Sequence, residues 1–468
     1  MITLSVAEVA AITGGTVTAA AAGSVIVSGP VVADSRLAVP GALFAALPGE
    51  RVDGHDFAAT AVKAGAVTVL AARPVADVPG GVPVIVVRDV IVALGALARA
   101  VLDRLPAATV VGITGSSGKT STKDLTAQLV ERLGPTIAPE GSLNNEIGLP
   151  LTVLRADEST RYLVLEMSAR GIGHIAYLCD IAPPRIGAVL NVGRSHVGEF
   201  GSIDAVAKAK GELVEALPAD GAAILNADDP NVAAMAKRTA ARVVTFGLAT
   251  GADVRATDIS LDDLGRGSFR MTMPGGSADV RLRLHGGHHV ANALAAAAIA
   301  AELGLDVAAI ADALSNATAR SKKRMEFTRR PDGVLVINDA YNANPDSTRA
   351  AIEALAHLIR QGRRGFAVLG YMAELGDIAD ESHREAGRLA ARAGVDGLIA
   401  VGEEARPVLT GALAQPGWAG EAIAVPNVSA AIDVLHHRLR PGDVVLIKAS
   451  NAAGLWEVAD GLLAEVDQ

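Results

Sequence analysis

The chain has one cysteine, Cys179, among 468 residues, so no internal disulfide can staple it. No run of about 18 or more apolar residues is free of charges and turn formers, which argues against a membrane-spanning helix. The N-terminal stretch lacks a basic start, a clean apolar block and a cleavage site. Together these absences predict a reducing, cytoplasmic setting with no membrane partner. Aromatic residues make up only 3%, and the net charge of -9 is spread without a basic arm or an aromatic-basic stripe. Nucleic acid is therefore not an expected partner. An acidic chain can still bind anions, through local lysines, arginines and helix N-termini.

The length allows about three domains, each with its own core. Residues 1–106 hold short valine-rich strands such as VIVSGPVVADSR, GALFAAL, AVTVLAAR and VPVIVVRD, with few strong helices. Over 107–325, apolar strands (VVGITG, YLVLEMS, IGAVLNVG, AAILNADD, VVTFGL) alternate with helical periods and close in the helix ANALAAAAIAAELG. That alternation predicts an α/β domain with a helix-covered parallel sheet. Over 326–468 a second series, VLVIND, GFAVLG, GLIAVG, AIAVP and DVVLIK, predicts a separate doubly wound, Rossmann-like domain.

Between the first strand and first helix of the central region lies Thr114-Gly115-Ser116-Ser117-Gly118-Lys119-Thr120. A phosphate loop is written G-x-x-x-x-G-K-[ST], and Ile113 stands where its first glycine belongs, with Gly112 one residue away. The alternative is a plain glycine turn with a solvated lysine. The strand-to-helix setting favours a phosphate cradle: free amides and the helix dipole attract the anion, Lys119, on a solvent-facing loop, neutralises it, and the Thr120 hydroxyl can hold Mg2+. A second glycine pattern, Gly171 to Ala176, fits G-x-G-x-x-A but has no acidic partner after the next strand, and reads as a turn into a helix.

Open α/β sheets bind ligands at the C-terminal ends of their strands. There YLVLEMS delivers Glu166, and IGAVLNVG delivers Asn191 with His196 just beyond. A carboxylate and an imidazole beside ATP phosphates can hold a divalent cation, though Glu166 could equally cap a helix and His196 sit in a surface loop. Lys208 and Lys210 follow in AVAKAKGELV, and periodicity assigns both to one solvated helix face.

The ordered set TGSSGKTSTK, GSLNNEIGLPLT, LEMSARGIGHI, LNVGRSHVGEFGS, VAKAKGELV, NADDPN, HHVANALAAAA, RMEF and NDAYNANPDS, with DSRLAVPGALFAALPGERVDGHDF before it, resembles the Mur ligases. These are ATP-dependent amide-bond-forming enzymes of bacterial cell-wall synthesis. The resemblance covers nearly the whole chain and implies three domains: UDP-sugar-binding, P-loop ATPase and Rossmann-like. It is strongest to the branch that joins D-alanyl-D-alanine to UDP-N-acetylmuramoyl-tripeptide through an acyl phosphate. Third-residue-adding ligases and folylpolyglutamate synthases would share the loop and lysine, but the stretch Asp339 to Pro345 argues against both. A P-loop kinase or nucleotide-dependent binding protein is the rival from another class.

By this resemblance, the loop residues from Thr114 to Thr120 meet ATP phosphate, and Thr120, Glu166, His196 and a carbamylated Lys210 surround magnesium. Lys208 shares the face of Lys210 but not its place in the motif. Asn292 contacts adenine, while Arg324 and Asp339 bring further nucleotide contacts from the hinge and C-terminal domain. Asp34, Ser35, Arg36, Asn144, Asn145 and Ser168 contact the UDP-linked substrate. Tyr341, Asn342, Asn344 and Pro345 face the incoming dipeptide. Tyr371, His289 and Asn451 depart from the family pattern, which often has an acidic residue, an asparagine and, around Asn451, Gly-Ser-Arg. A monomer is expected.

Overall fold

The computed structural model describes residues 1–18, 24–49, 52–75, 78–79, 81–193 and 197–464. None of its helices is long and apolar enough to cross a membrane. Three main sheets follow one another along the chain.

The first has five strands in the order Thr16–Val17, Val84–Val86, Thr68–Ala71, Leu43–Ala45, Val31–Val32, parallel except for the Thr16–Val17 edge. Its 14-residue helix Val90–Asp103 corrects the expectation of few strong helices here. Val90, Ala93, Leu94, Leu97, Ala98, Val101 and Leu102 recur at helical spacing and are buried. The β-branched start of this segment disguises it as strand. Asp89 caps it, accepting from the amides of Ile91 and Val92 at 2.8 and 3.1 Å.

The central sheet has nine strands in the order Gly276–His285, Arg266–Met273, Val254–Leu261, Arg242–Gly247, Ala222–Asn226, Ile186–Val189, Thr109–Thr114, Tyr162–Glu166, Thr136–Ile137. From Val254 to the Thr136 edge all pairs are parallel, as the alternating pattern predicts. The antiparallel extension through Arg266–Met273 and Gly276–His285 departs from the expected all-parallel sheet. Arg266–Met273 alternates buried and less buried residues, so one face is wet and its hydrophobic signal is halved. Helix His289–Glu302 buries its alanines against this sheet and against helix Lys119–Val130, where small side chains allow close approach.

The third sheet runs Glu326–Arg329, Leu335–Asn338, Val444–Lys448, Gly365–Leu369, Gly397–Val401, Glu421–Val425, parallel except at the Glu326 edge. Helices Pro345–Arg360, Ala379–Arg392 and Pro407–Leu413 cover one face, and Val428–Arg438 with Trp456–Ala464 the other. This unit docks on the central one. The Asn344 amide nitrogen donates to Ser116 O at 3.4 Å, His357 Nε2 lies 2.7 Å from Asp262 O, and His285 stacks on Phe327 at 3.8 Å.

Candidate active site

Strand Thr109–Thr114 ends at a turn, and helix Lys119–Val130 begins at Lys119, which is half-buried rather than on an open loop. Gly118 has φ +80, which favours glycine, and a Cβ there would lie 2.6 Å from Asn292 Oδ1 and push that side chain aside. Asn191 braces the turn: its side-chain oxygen accepts from Ser117 N at 2.9 Å, and its carbonyl from Ser116 N at 3.1 Å. Among the described residues no acceptor faces the amides of Gly118, Lys119 and Thr120. They point from the positive end of a helix into open space, which suits an anion. Thr114 is fully buried behind the turn, its hydroxyl unpaired. Gly112 is no substitute for a loop glycine. It lies inside the strand, where a Cβ would meet Leu213 at 2.9 Å.

Glu166, at the end of the neighbouring strand, does not cap a helix. Its Oε2 accepts from the Thr120 hydroxyl at 2.8 Å and its Oε1 from Asn144 Nδ2 at 2.6 Å. Ser142, which the sequence reading missed, lies 2.9 Å from Thr120 Oγ1 and accepts from Arg324 Nη2 at 2.5 Å. Lys119 Nζ donates to Gly115 O at 2.8 Å; burial pushes its pKa down, with Arg324 pushing the same way and Glu166 opposing.

Lys210 and Lys208 do not share a face. Two residues on a helix are about 200° apart, and Lys210 is 3% exposed while Lys208 is exposed. Among the described residues Lys210 has no hydrogen-bond or ion-pair partner, and burial, then the charge of Lys119, drives its pKa well down. Nearby Glu212 caps helix His174–Ile181, accepting from Gly173 N and Ala176 N at 2.6 and 3.0 Å, so the Gly171–Ala176 pattern is a turn into a helix, as read. His196 lies outside the described residues. The hydroxyl and carboxylate oxygens of Thr120, Ser142 and Glu166 are the hard donors that magnesium prefers, so this set fits that ion.

A cavity of about 440 Å³ joins these groups to the C-terminal unit, within the ~300–1,000 Å³ usual for ligand sites. Its walls include Asn292 from the central helix, Asn144, Asn145 and Ser168 from the loops, and Tyr341, Asn342 and Asn344 from across the interface. Arg324 lies over the Tyr341 ring at 4.2 Å. Asp339 pairs with buried Lys448 at 2.6 Å and accepts from Met325 N at 3.0 Å. Lys448 was also missed; its one signal was a lysine closing the otherwise apolar strand VVLIK. Asn344 caps helix Pro345–Arg360. Ser35 and Arg36 lie elsewhere, in a turn of the first unit outside this cavity, where Arg36 holds the Asp34 carboxyl down to about 2. Of the departures, His289 is buried with Nδ1 3.4 Å from Asn292 Nδ2, and Tyr371 O accepts from Ser450 N at 3.0 Å beside Asn451.

Family models match in three places: Mur ligase family, catalytic domain, over residues 30–102; Mur ligase middle domain over 113–300; and Mur ligase, glutamate ligase domain, over 323–451. The UDP-N-acetylmuramoyl-tripeptide--D-alanyl-D-alanine ligase of Mycobacterium tuberculosis is 50% identical over 99% of this chain and 98% of its own. The chain belongs to the Mur ligase family. The Escherichia coli Mur ligase of the same name is 38% identical over 92% and 93% of the two chains. Among solved Mur ligases, MurF from Acinetobacter baumannii superposes with a TM-score of 0.87 at 31% identity, covering 99% of each chain. MurF from Thermotoga maritima, in complex with ADP, gives 0.79 at 30%, covering 94% and 98%. The folylpolyglutamate synthase of Mycobacterium tuberculosis, at 17% and 0.62, shares the fold alone.

Proposed function

We propose that the protein is an ATP-dependent amide ligase that joins D-alanyl-D-alanine to UDP-N-acetylmuramoyl-tripeptide, giving the UDP-linked pentapeptide, ADP and phosphate in peptidoglycan precursor synthesis. The observation that carries this reading is the 50% identity, end to end, with a ligase of that name. The cavity supports it, because a free-amide loop, the half-buried Lys119 and an oriented carboxylate converge there on one side and a second unit closes the other.

A carboxylate is a poor acyl donor, so the γ-phosphoryl group of ATP passes first to the stem-peptide carboxylate. The amides of Gly118, Lys119 and Thr120 hold phosphate oxygens, and Lys119 turns from Gly115 O to the transferring group, whose charge it stabilises. Thr120, Glu166, His196 and Lys210 would hold magnesium, which when bound supplies further positive charge to that group. A neutral lysine can add CO2 and lose a proton to become a carbamate. Burial and then the charge of Lys119 lower the pKa of Lys210, which favours the neutral amine that this step needs. Asn292, Arg324 and Asp339 orient the nucleotide, while Ser35, Arg36, Asn144, Asn145 and Ser168 hold the UDP-linked substrate. Tyr341, Asn342 and Asn344 present the dipeptide amine to the acyl phosphate once water is excluded. The division is 1–106, 107–325 and 326–468, the site of action is the cytoplasm, and the enzyme acts as a monomer.

Phosphate release tests this reading. It should require both UDP-N-acetylmuramoyl-tripeptide and D-alanyl-D-alanine, with D-alanine and L-alanyl-L-alanine much weaker. Release without any amine would point to a kinase or ATPase, and extension of a folate by glutamate would move the protein to another branch.

A further inference from the structure

Beyond the nucleotide cavity, the central and C-terminal units touch backbone to backbone. The short helix Val197–Phe200 of the central unit lies against the turn that precedes helix Ala379–Arg392. A Cβ on Gly198 would fall 2.6 Å from Gly376 N, 2.8 Å from Leu375 C and 2.9 Å from Glu374 O. A Cβ on Gly376 would lie 3.1 Å from Gly198 Cα. Gly198 itself has no left-handed backbone, so its own conformation does not call for glycine. The opposing turn calls for it.

That turn is braced on the C-terminal unit. Leu375 is 2% exposed in the C-terminal core. Met372 N donates to His383 Nε2 at 2.9 Å, His383 Nδ1 lies 2.6 Å from Ala379 O, and Ala373 N donates to Ser450 Oγ at 2.9 Å. Glu374, with φ +61, is held left-handed and lies 3.7 Å from Arg170, which lines the cavity. A methyl group at position 198 therefore displaces the short helix Val197–Phe200, and the unit that carries it, away from the turn.

We propose that the Gly198–Gly376 contact is a seat that sets how far the C-terminal unit closes on the nucleotide cavity, and that Gly198 is a positioning residue for amide formation. This rests on the proposed ligase activity, because closure brings the dipeptide side of the cavity onto the phosphate loop. A displacement of about 1 Å is enough to cost on the order of a hundredfold in such a step. Gly198 touches no substrate in this reading; it acts through the distance between the walls.

The test is Gly198→Ala in the full chain, with Glu199→Ala, its exposed neighbour on the same short helix, as control. Thermal unfolding reports whether the variant folds. Small-angle scattering with a non-hydrolysable ATP analogue reports closure independently of product. Gly198→Ala should unfold near the wild-type temperature, remain more extended with the analogue, and lose tenfold or more in kcat with KM for the UDP-linked tripeptide little changed. Gly198→Val should lose more, and Glu199→Ala should match wild type. Wild-type kcat and closure in a folded Gly198→Ala would overturn the seat. If the wild type makes no pentapeptide, the activity assignment fails while the scattering comparison still judges the seat.

Discussion

The Thr120 hydroxyl sits 2.8 Å from Glu166 Oε2, joining the first turn of helix Lys119–Val130 to the end of the neighbouring strand. Neither residue has another acid or lysine as its hydrogen-bond partner among the described residues; Ser142 and Asn144 complete the set. Thr120→Ala and Glu166→Gln should each raise the Mg2+ concentration for half-maximal rate and cut kcat by about a hundred- to a thousandfold. Titrating Mg2+ against initial rate checks this, and unchanged midpoints in both variants would return Glu166 to a structural role.

Lys210 and Lys208 should behave oppositely. Lys210→Ala should be nearly inactive, and added acetate or formate should restore part of the rate by standing in for the proposed carbamate. Lys208→Ala, at an exposed position, should stay within about threefold of wild type, as surface changes usually cost little. Rates with and without formate make the comparison.

Asp339 and Lys448 form a buried pair whose side chains are 13% and 1% exposed. Lys448→Ala leaves the Asp339 carboxylate without its cation and should destabilise the protein by about 3–5 kcal/mol. Urea unfolding followed by circular dichroism measures the loss. Loss of the Asp339 anchor should also weaken ATP binding, read by titration calorimetry.

His289 carries a pH prediction. Burial, reinforced by His288 and His285, pushes its pKa well below the ordinary 6.5. As pH falls through about 6.5 the unfolded chain takes up a proton that folded His289 refuses, so stability drops on acidification by at most about 1.4 kcal/mol per pH unit for this residue. Above that range it contributes no pH dependence. His289→Asn should flatten the fall between pH 7 and pH 5 in urea midpoints.

Much of this arrangement was readable because buried parallel strands announce themselves as short apolar runs rich in β-branched residues, as in TVVGIT and VVLIK. The meander Val254–His285 was not, because its alternating residues dilute that signal, and neither was helix Val90–Asp103, whose valines imitate a strand. Lys119, Thr120 and Glu166 stood out by their position after strands. Ser142 and Lys448 did not, since their partners, Thr120 and Asp339, lie 22 and 109 residues away in sequence. The two lysines of AVAKAKGELV illustrate the limit of periodicity: only packing tells which one the fold has buried.

In the proposed reaction the loop Thr114–Thr120 activates the stem-peptide carboxylate as an acyl phosphate, which the dipeptide amine then attacks. Oxygen-18 in both carboxylate oxygens of the UDP-linked tripeptide reads this directly by mass spectrometry. Phosphorylation forms a bond from one labelled oxygen to phosphorus. Amine attack breaks the carbon–oxygen bond, so one label leaves with inorganic phosphate and the other stays in the new amide. One labelled oxygen is expected in phosphate for each pentapeptide formed, and none with Lys119→Ala, which should make almost no product. Pentapeptide formed with unlabelled phosphate would contradict it.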